Sequence, residues 1–170
     1  MKHARLVLTG LVFVFLGLLG SRAAAATVIV DDGDPIFQEW ASESHVKMPR
    51  VIRVEHTPGP VPGNAWAQTS YDGVIHWELD AQTTRSYPLA RPAFYREVGH
   101  VLDFLTFTDK RRVKINRLMR WSSFLWRIEW FAMGYSYCAL GAYPVESWSG
   151  YGYRVPAWKQ HRLCRFLGQR

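Results

Sequence analysis

The segment YREVGHVLDF, residues 95–104, places chemically active side chains inside a predicted helix. Glu97 is followed three positions later by His100, so both side chains lie on one side of a helix, about one turn apart. The surrounding residues 87–107 predict a single long helix, in which Pro92 is tolerated because it lies near the start. An acid and an imidazole on one helical face make this helix the first place to look for a functional site.

Strand-forming segments precede this helix, and further helices follow it. Alternating apolar and polar residues predict strands at 49–56 and 73–79, and the proline- and glycine-rich residues 57–64 predict a loop between them. A short helix is expected to begin near Asp34. Longer helices are predicted at 109–119, 127–140 and 156–167. Strands followed by helices indicate an α+β fold, in which a small twisted sheet packs on the helix of residues 87–107.

The start of the chain has the pattern of an export signal. A positive beginning is followed by an apolar core at 6–20 and by the small residues of SRAAAA, 21–26. The apolar core is about 15 residues long, shorter than the roughly 20 that a membrane-spanning helix needs, which disfavours an uncleaved anchor. We therefore expect residues 1–26 to be a signal peptide and 27–170 to be a single secreted domain without a membrane segment. Cleavage is expected after Ala24, Ala25 or Ala26.

Two cysteines, Cys138 and Cys164, are the whole cysteine content of the chain. Outside the cell an isolated pair most simply forms a disulfide. Two free, buried thiols are the alternative.

Charge is divided unevenly along the chain. Residues 27–109 hold 6 basic and 12 acidic side chains, whereas residues 110–170 hold 12 basic and 2 acidic ones. A basic half of this kind attracts anionic partners, such as an anionic cell-surface polymer. A basic face that meets only solvent is nevertheless the simpler interpretation of this half of the chain. No nucleic acid is expected as a partner, because the predicted location is extracellular and no recognition motif is present.

The chemistry of the motif depends on the residue before Glu97. In helices of the His-Glu-x-x-His type, two histidines one turn apart hold zinc, and the glutamate activates the metal-bound water. Here Glu97 occupies the position of the base and His100 that of the second histidine. Arg96 occupies the position of the first histidine, and a guanidinium has no lone pair to give to a metal.

A second segment, EWFAMGY at 129–135, offers another acid. Glu129 lies in an apolar helix, and an acid in such surroundings needs a partner. It is placed downstream of the motif helix, where a third metal ligand is expected. A surface glutamate paired with Arg127 is the alternative interpretation.

Together, REVGHVLDF (96–104) and EWFAMGY resemble the gluzincin metallopeptidases, in particular the lethal-factor type of zincin. The export signal and the segment GYGYRVPAWKQHRLC (150–164) resemble small secreted bacterial zincin-like proteins. The resemblance covers roughly residues 73–167. It implies a zincin-like fold, with His100 and Glu129 as zinc ligands and Glu97 as the general base. Two positions depart from the family pattern, namely Arg96 in place of the first ligand and Met133 in place of a second glutamate.

These departures suggest a metallopeptidase-like protein that is catalytically impaired or inactive. Zinc binding would be weakened, and the fixed charge of Arg96 over Glu97 and Glu129 would balance the carboxylates in place of the metal. Such a pseudoenzyme would act as a binding or structural module, with a peptide or protein ligand along the edge of the sheet.

Two other functions remain open from the sequence. In an active zinc peptidase, His76 would substitute for the missing ligand, and Tyr135 or Tyr143 would stabilise the oxyanion. The second function does not depend on the resemblance to zincins, and in it the chain is a disulfide-linked, secreted basic domain that binds an anionic surface.

Overall fold

The structure, a computed structural model, describes residues 26–57, 59, 66–121, 127–141 and 155–169. The predicted signal peptide lies outside these residues except for Ala26. Within the described ranges, no helix has both the length and the apolar character that a membrane crossing requires.

A small four-stranded sheet forms the first part of the fold. Its strands are β1 (Thr27–Val30), β2 (Val51–His56), β3 (Ala67–Thr69) and β4 (Val74–Trp77), in the spatial order β1-β2-β4-β3. β1, β2 and β4 run parallel, whereas β3 pairs antiparallel with β4 and lies at the edge. Alternation along the strands buries one face of the sheet, with Ile52, Val54 and Ile75 in the core.

Six helices accompany the sheet in the described residues, and α3 packs against β3, β4 and α5. They are α1 (Ile36–Ser42), α2 (Ala81–Ser86), α3 (Ala90–Thr106), α4 (Asp109–Met119), α5 (Ile128–Leu140) and α6 (Ala157–Phe166). The predicted combination of a small sheet and following helices is confirmed as a mixed α/β architecture.

Three elements, β1, β3 and α2, were not among those predicted from the sequence. β3 has only three residues, too few for an alternating pattern to stand out in the sequence. α2 is polar, and it is stabilised at its start by Asp80, whose carboxylate accepts a hydrogen bond from the Thr83 amide at 2.8 Å. As a result the long helix begins at Ala90, three residues after the predicted start.

A close approach between α3 and α5 sets the geometry of the region around the motif. A Cβ atom at Gly99 would lie 2.8 Å from Ala132 Cα, closer than real Cβ atoms come to backbone. Glycine at this position therefore lets the two helices pack almost backbone to backbone. The two sequence motifs, one on each helix, are brought side by side by this contact.

The expected disulfide is present and joins the last two helices. Cys138 of α5 is bonded to Cys164 of α6, with their Cα atoms 5.0 Å apart. Both residues are buried. The bond fixes α6 against the helix that also carries Glu129.

Candidate functional site

The candidate site lies where the edge strand β3 meets α3 and α5. At its centre is Glu97, which is 1% exposed although it is an acid. The Thr69 hydroxyl on β3 donates a hydrogen bond to Glu97 Oε2 at 2.8 Å. A buried carboxylate needs such partners, because the loss of water around a charge is costly unless it is compensated.

Arg96 supplies the compensating charge. Its Nη1 donates to Glu97 Oε1, and its Nη2 donates to Glu129 Oε2 at 2.6 Å. The Arg96 side chain is only 14% exposed. One guanidinium therefore joins the carboxylates of two helices, a geometry that suits its planar arrangement of donors.

His100 completes the group from one turn further along α3. Its Nε2 lies 3.5 Å from Glu129 Oε2, and the residue is 5% exposed. Nδ1 has no hydrogen-bond partner among the described residues. The imidazole stacks on Phe104, with ring centroids 5.8 Å apart, and Phe104 in turn contacts the ring of Tyr71 at 4.9 Å. Because Tyr71 is 86% exposed, this row of rings connects the buried charges to the surface.

The cations around Glu129 determine its protonation. Burial by itself would raise the pKa of Glu129, but hydrogen bonding to His100 and the charges of Arg96 and His100 outweigh it and lower the pKa from 4.5 to about 2. The carboxylate is therefore ionised throughout the neutral range.

This lowered pKa predicts a specific dependence of stability on pH. Between pH 4.5 and about 2 the unfolded chain binds a proton at Glu129 more readily than the folded chain does. The contribution of Glu129 to stability is therefore complete above pH 4.5 and is lost as the pH falls towards 2. We expect the difference in unfolding free energy between the native protein and Glu129→Gln, measured by urea unfolding, to shrink over this range. A difference that stays constant would contradict the ion pairing of Glu129. We expect the change in unfolding free energy to be modest, because the Glu129 side chain is 35% exposed and solvent screens its charge.

Of the other residues predicted for this site, two lie elsewhere. His76 is on β4 as predicted, but it pairs with Gln68, whereas the neighbouring pair Ile75 and Thr69 faces the helices. His76 therefore lies on the opposite face of the sheet from Glu97, 3.9 Å from a carboxylate oxygen of Glu55, and does not reach the site.

Tyr135 is also directed away from the carboxylates. It is fully buried, and its hydroxyl lies 3.2 Å from the backbone oxygen of Lys47 and 2.9 Å from the sulfur of Met48. Burial raises the pKa of this phenol, which keeps it protonated. The structure therefore does not support an oxyanion role for Tyr135, while Tyr143 lies outside the described residues.

One residue of the site, Thr69, was not expected from the sequence. It precedes Glu97 by 28 residues, and it reaches the carboxylate only because β3 lies along α3. No local pattern around a threonine in so short a strand could have identified it.

Zinc is the cofactor that the resemblance implies, and the site can be tested for its fit. A catalytic zinc takes three protein donors and keeps one position open. Here a guanidinium, which has no lone pair, is bonded to both Glu97 and Glu129. α3 offers one imidazole nitrogen, that of His100, where the zinc motif has two. The residues present do not fit a zinc ion.

A second group of possible metal ligands lies at the other end of the sheet. One ligand atom each from Asp31, Asp32 and His56 lies within 4.8 Å of the others. The acids are exposed, and His56 Nδ1 lies 3.2 Å from an oxygen of each. The backbone amide of His56 also donates a hydrogen bond to Asp31 Oδ2 at 3.0 Å, so His56 and Asp31 link the ends of β1 and β2. These hydrogen bonds account for the group without an ion.

Comparison with known proteins finds no relative of this chain. No protein-family model matches the chain, and neither a curated protein nor a solved structure shows significant similarity to it.

Proposed function

We propose that this protein is an exported, metallopeptidase-like domain that binds a ligand or supports a structure instead of hydrolysing peptides. One observation carries the proposal: the Arg96 guanidinium is bonded to both Glu97 and Glu129 and occupies the space between them. In the zincins that the two motifs resemble, a metal ion would balance the two corresponding carboxylates.

The bonding of Glu97 opposes a catalytic role. A general base must have a free oxygen within hydrogen-bond reach of the proton that it takes. Both oxygens of Glu97 are engaged, Oε1 by Arg96 and Oε2 by Thr69. Activation of water would require these bonds to break, and it would also lack the metal that lowers the pKa of bound water.

The surroundings of the site favour an extended peptide as ligand. β3 is one of the two edge strands of the described sheet, and Gln68 on it is exposed. An edge strand offers backbone donors and acceptors to an added strand. Tyr71 and Phe104 lie beside it and supply an aromatic surface for side chains of the ligand.

Elemental analysis of the purified protein and of an Arg96→His variant tests the proposal. We expect no zinc in the native protein and about one zinc per chain in the variant, because the substitution removes the guanidinium and supplies the second imidazole. A double variant, Arg96→His with His100→Gln, keeps the new histidine but loses the other one, and we expect it to hold no stoichiometric zinc.

The opposite results are equally informative. Stoichiometric zinc in the native protein, together with cleavage of peptides, would overturn the proposal of an inactive site. An Arg96→His variant that folds but holds no zinc would show that the resemblance to zincins is misleading.

A further inference from the structure

We propose that α4 and α6 together form a binding surface for a linear, phosphate-bearing polyanion. This inference is independent of the site around Arg96, since it concerns helices that carry none of that site's residues.

The two helices pack against each other and carry an excess of exposed cations. Six lysines and arginines of these helices are exposed, namely Lys110, Arg111, Lys114, Arg117, Arg162 and Arg165. None of the six lies within 4.0 Å of a carboxylate in the described part of the chain. Asp109 is the one acid on either helix, and it bonds to Arg112 instead.

Helical spacing arranges these cations in rows. Lys110, Lys114 and Arg117 follow one another at intervals of four and three residues, which places them along one face of α4. Arg162 and Arg165 are spaced in the same way on α6. The rows therefore follow from the helical spacing of the cations alone.

Phe166 joins the two rows. The Lys114 ammonium lies 5.3 Å from the centroid of its ring, and the Arg111 guanidinium lies 5.5 Å from it. Arg162 precedes Phe166 by one helical turn on the same helix face. Cations of both helices consequently form one continuous basic surface, which we call the α4/α6 face.

Helix stability explains only part of this arrangement, because Arg117 and Arg165 lie in last turns, where positive charge is favourable, but other cations do not. Lys110 and Arg111 lie in the first turn of α4, where positive charge opposes the helix dipole. Lys110 and Lys114, four residues apart, repel each other. Such unfavourable placement is offset when a polyanion neutralises the surface and releases its counterions.

A polymer fits this face better than a lipid bilayer does. The apolar residues of both helices, among them Ile115, Met119 and Leu163, are directed into the core. A helix that lies on a membrane needs a free apolar face to insert. Val113 and Trp158 are the large apolar side chains that α4 and α6 leave exposed. Four of the six cations are arginines, whose planar guanidinium matches the oxygens of a phosphate group.

The test uses labelled long-chain inorganic polyphosphate as the probe and measures its dissociation constant by fluorescence anisotropy at several salt concentrations. We expect the affinity to fall steeply with salt, with a logarithmic slope of roughly −4 for about six contacts at about −0.7 each. A Lys114→Gln/Arg162→Gln variant removes one cation from each helix. It is expected to bind at least about tenfold more weakly, with a slope shallower by roughly 1.4.

The matched control is Arg50→Gln/Arg53→Gln, which has the same net charge and changes two exposed cations near the sheet. Near-native binding by this control, beside weak binding by the α4/α6 variant, supports the proposal. Equal losses in both variants would show that only net charge matters and would overturn it. Absence of binding, or tighter binding to phosphatidylglycerol vesicles than to polyphosphate, would overturn it as well.

Discussion

Replacing Arg96 by methionine is expected to lower the free energy of unfolding by about 3–5 kcal/mol, because it breaks a buried ion pair by removing one partner. The buried Glu97 carboxyl group would be left with the Thr69 hydroxyl as its remaining hydrogen-bond donor among the described residues. Methionine retains most of the aliphatic part of arginine, so the loss reports mainly on charge. Urea unfolding of the native protein and of Arg96→Met measures this difference in unfolding free energy.

The double variant Arg96→Met/Glu97→Gln separates the ion pair from packing. Glutamine keeps an acceptor for Thr69 but carries no charge that needs a cation. We expect Arg96→Met to cost at least about 1 kcal/mol less in this background than in the native one. An equal cost in both backgrounds would mean that Arg96 contributes through its alkyl chain, and the charge-balance explanation would fail.

Removal of the disulfide is the second large effect. The Cys138–Cys164 bond spans 26 residues, for which the loss of loop-closure entropy in the unfolded chain gives about 3.5 kcal/mol. We expect Cys138→Ala/Cys164→Ala to lower the unfolding free energy by about this amount, as measured by urea unfolding under oxidising conditions.

A reductant provides the control for this pair of variants. It should bring the native protein close to the variant while leaving the variant unchanged. A double variant as stable as the native protein would contradict a stabilising role for the bond.

Local signals in the sequence predicted the helices well. α4 occupies the predicted residues 109–119, because Thr108 caps its start and the chain leaves the helix at Arg120, whose φ is 48°. Helical spacing also placed Arg96, Glu97 and His100 close together. The position of Glu129 opposite these residues was implied by the resemblance, whereas charge alone predicted a partner for Glu129 without distinguishing Arg96 from Arg127.

Features that depend on contacts between distant segments were not predictable. The facing of His76 depends on the strand register, and a shift of one residue reverses which face of the sheet a side chain takes. The direction of Tyr135 is a different case, since it follows Glu129 by six residues and this spacing alone turns it to another side of α5. The packing of α6 on α4 brings together segments that are far apart in the sequence.

The contact at Gly99 has a consequence for how any molecule would reach the two carboxylates. Because α3 and α5 touch almost backbone to backbone there, with α5 joined further along to α6 by the disulfide, we expect the two helices to separate little at this point. Entry then requires the rotation of one side chain, Arg96, away from Glu97 and Glu129. We therefore expect access to the two carboxylates to depend on the conformation of the Arg96 side chain.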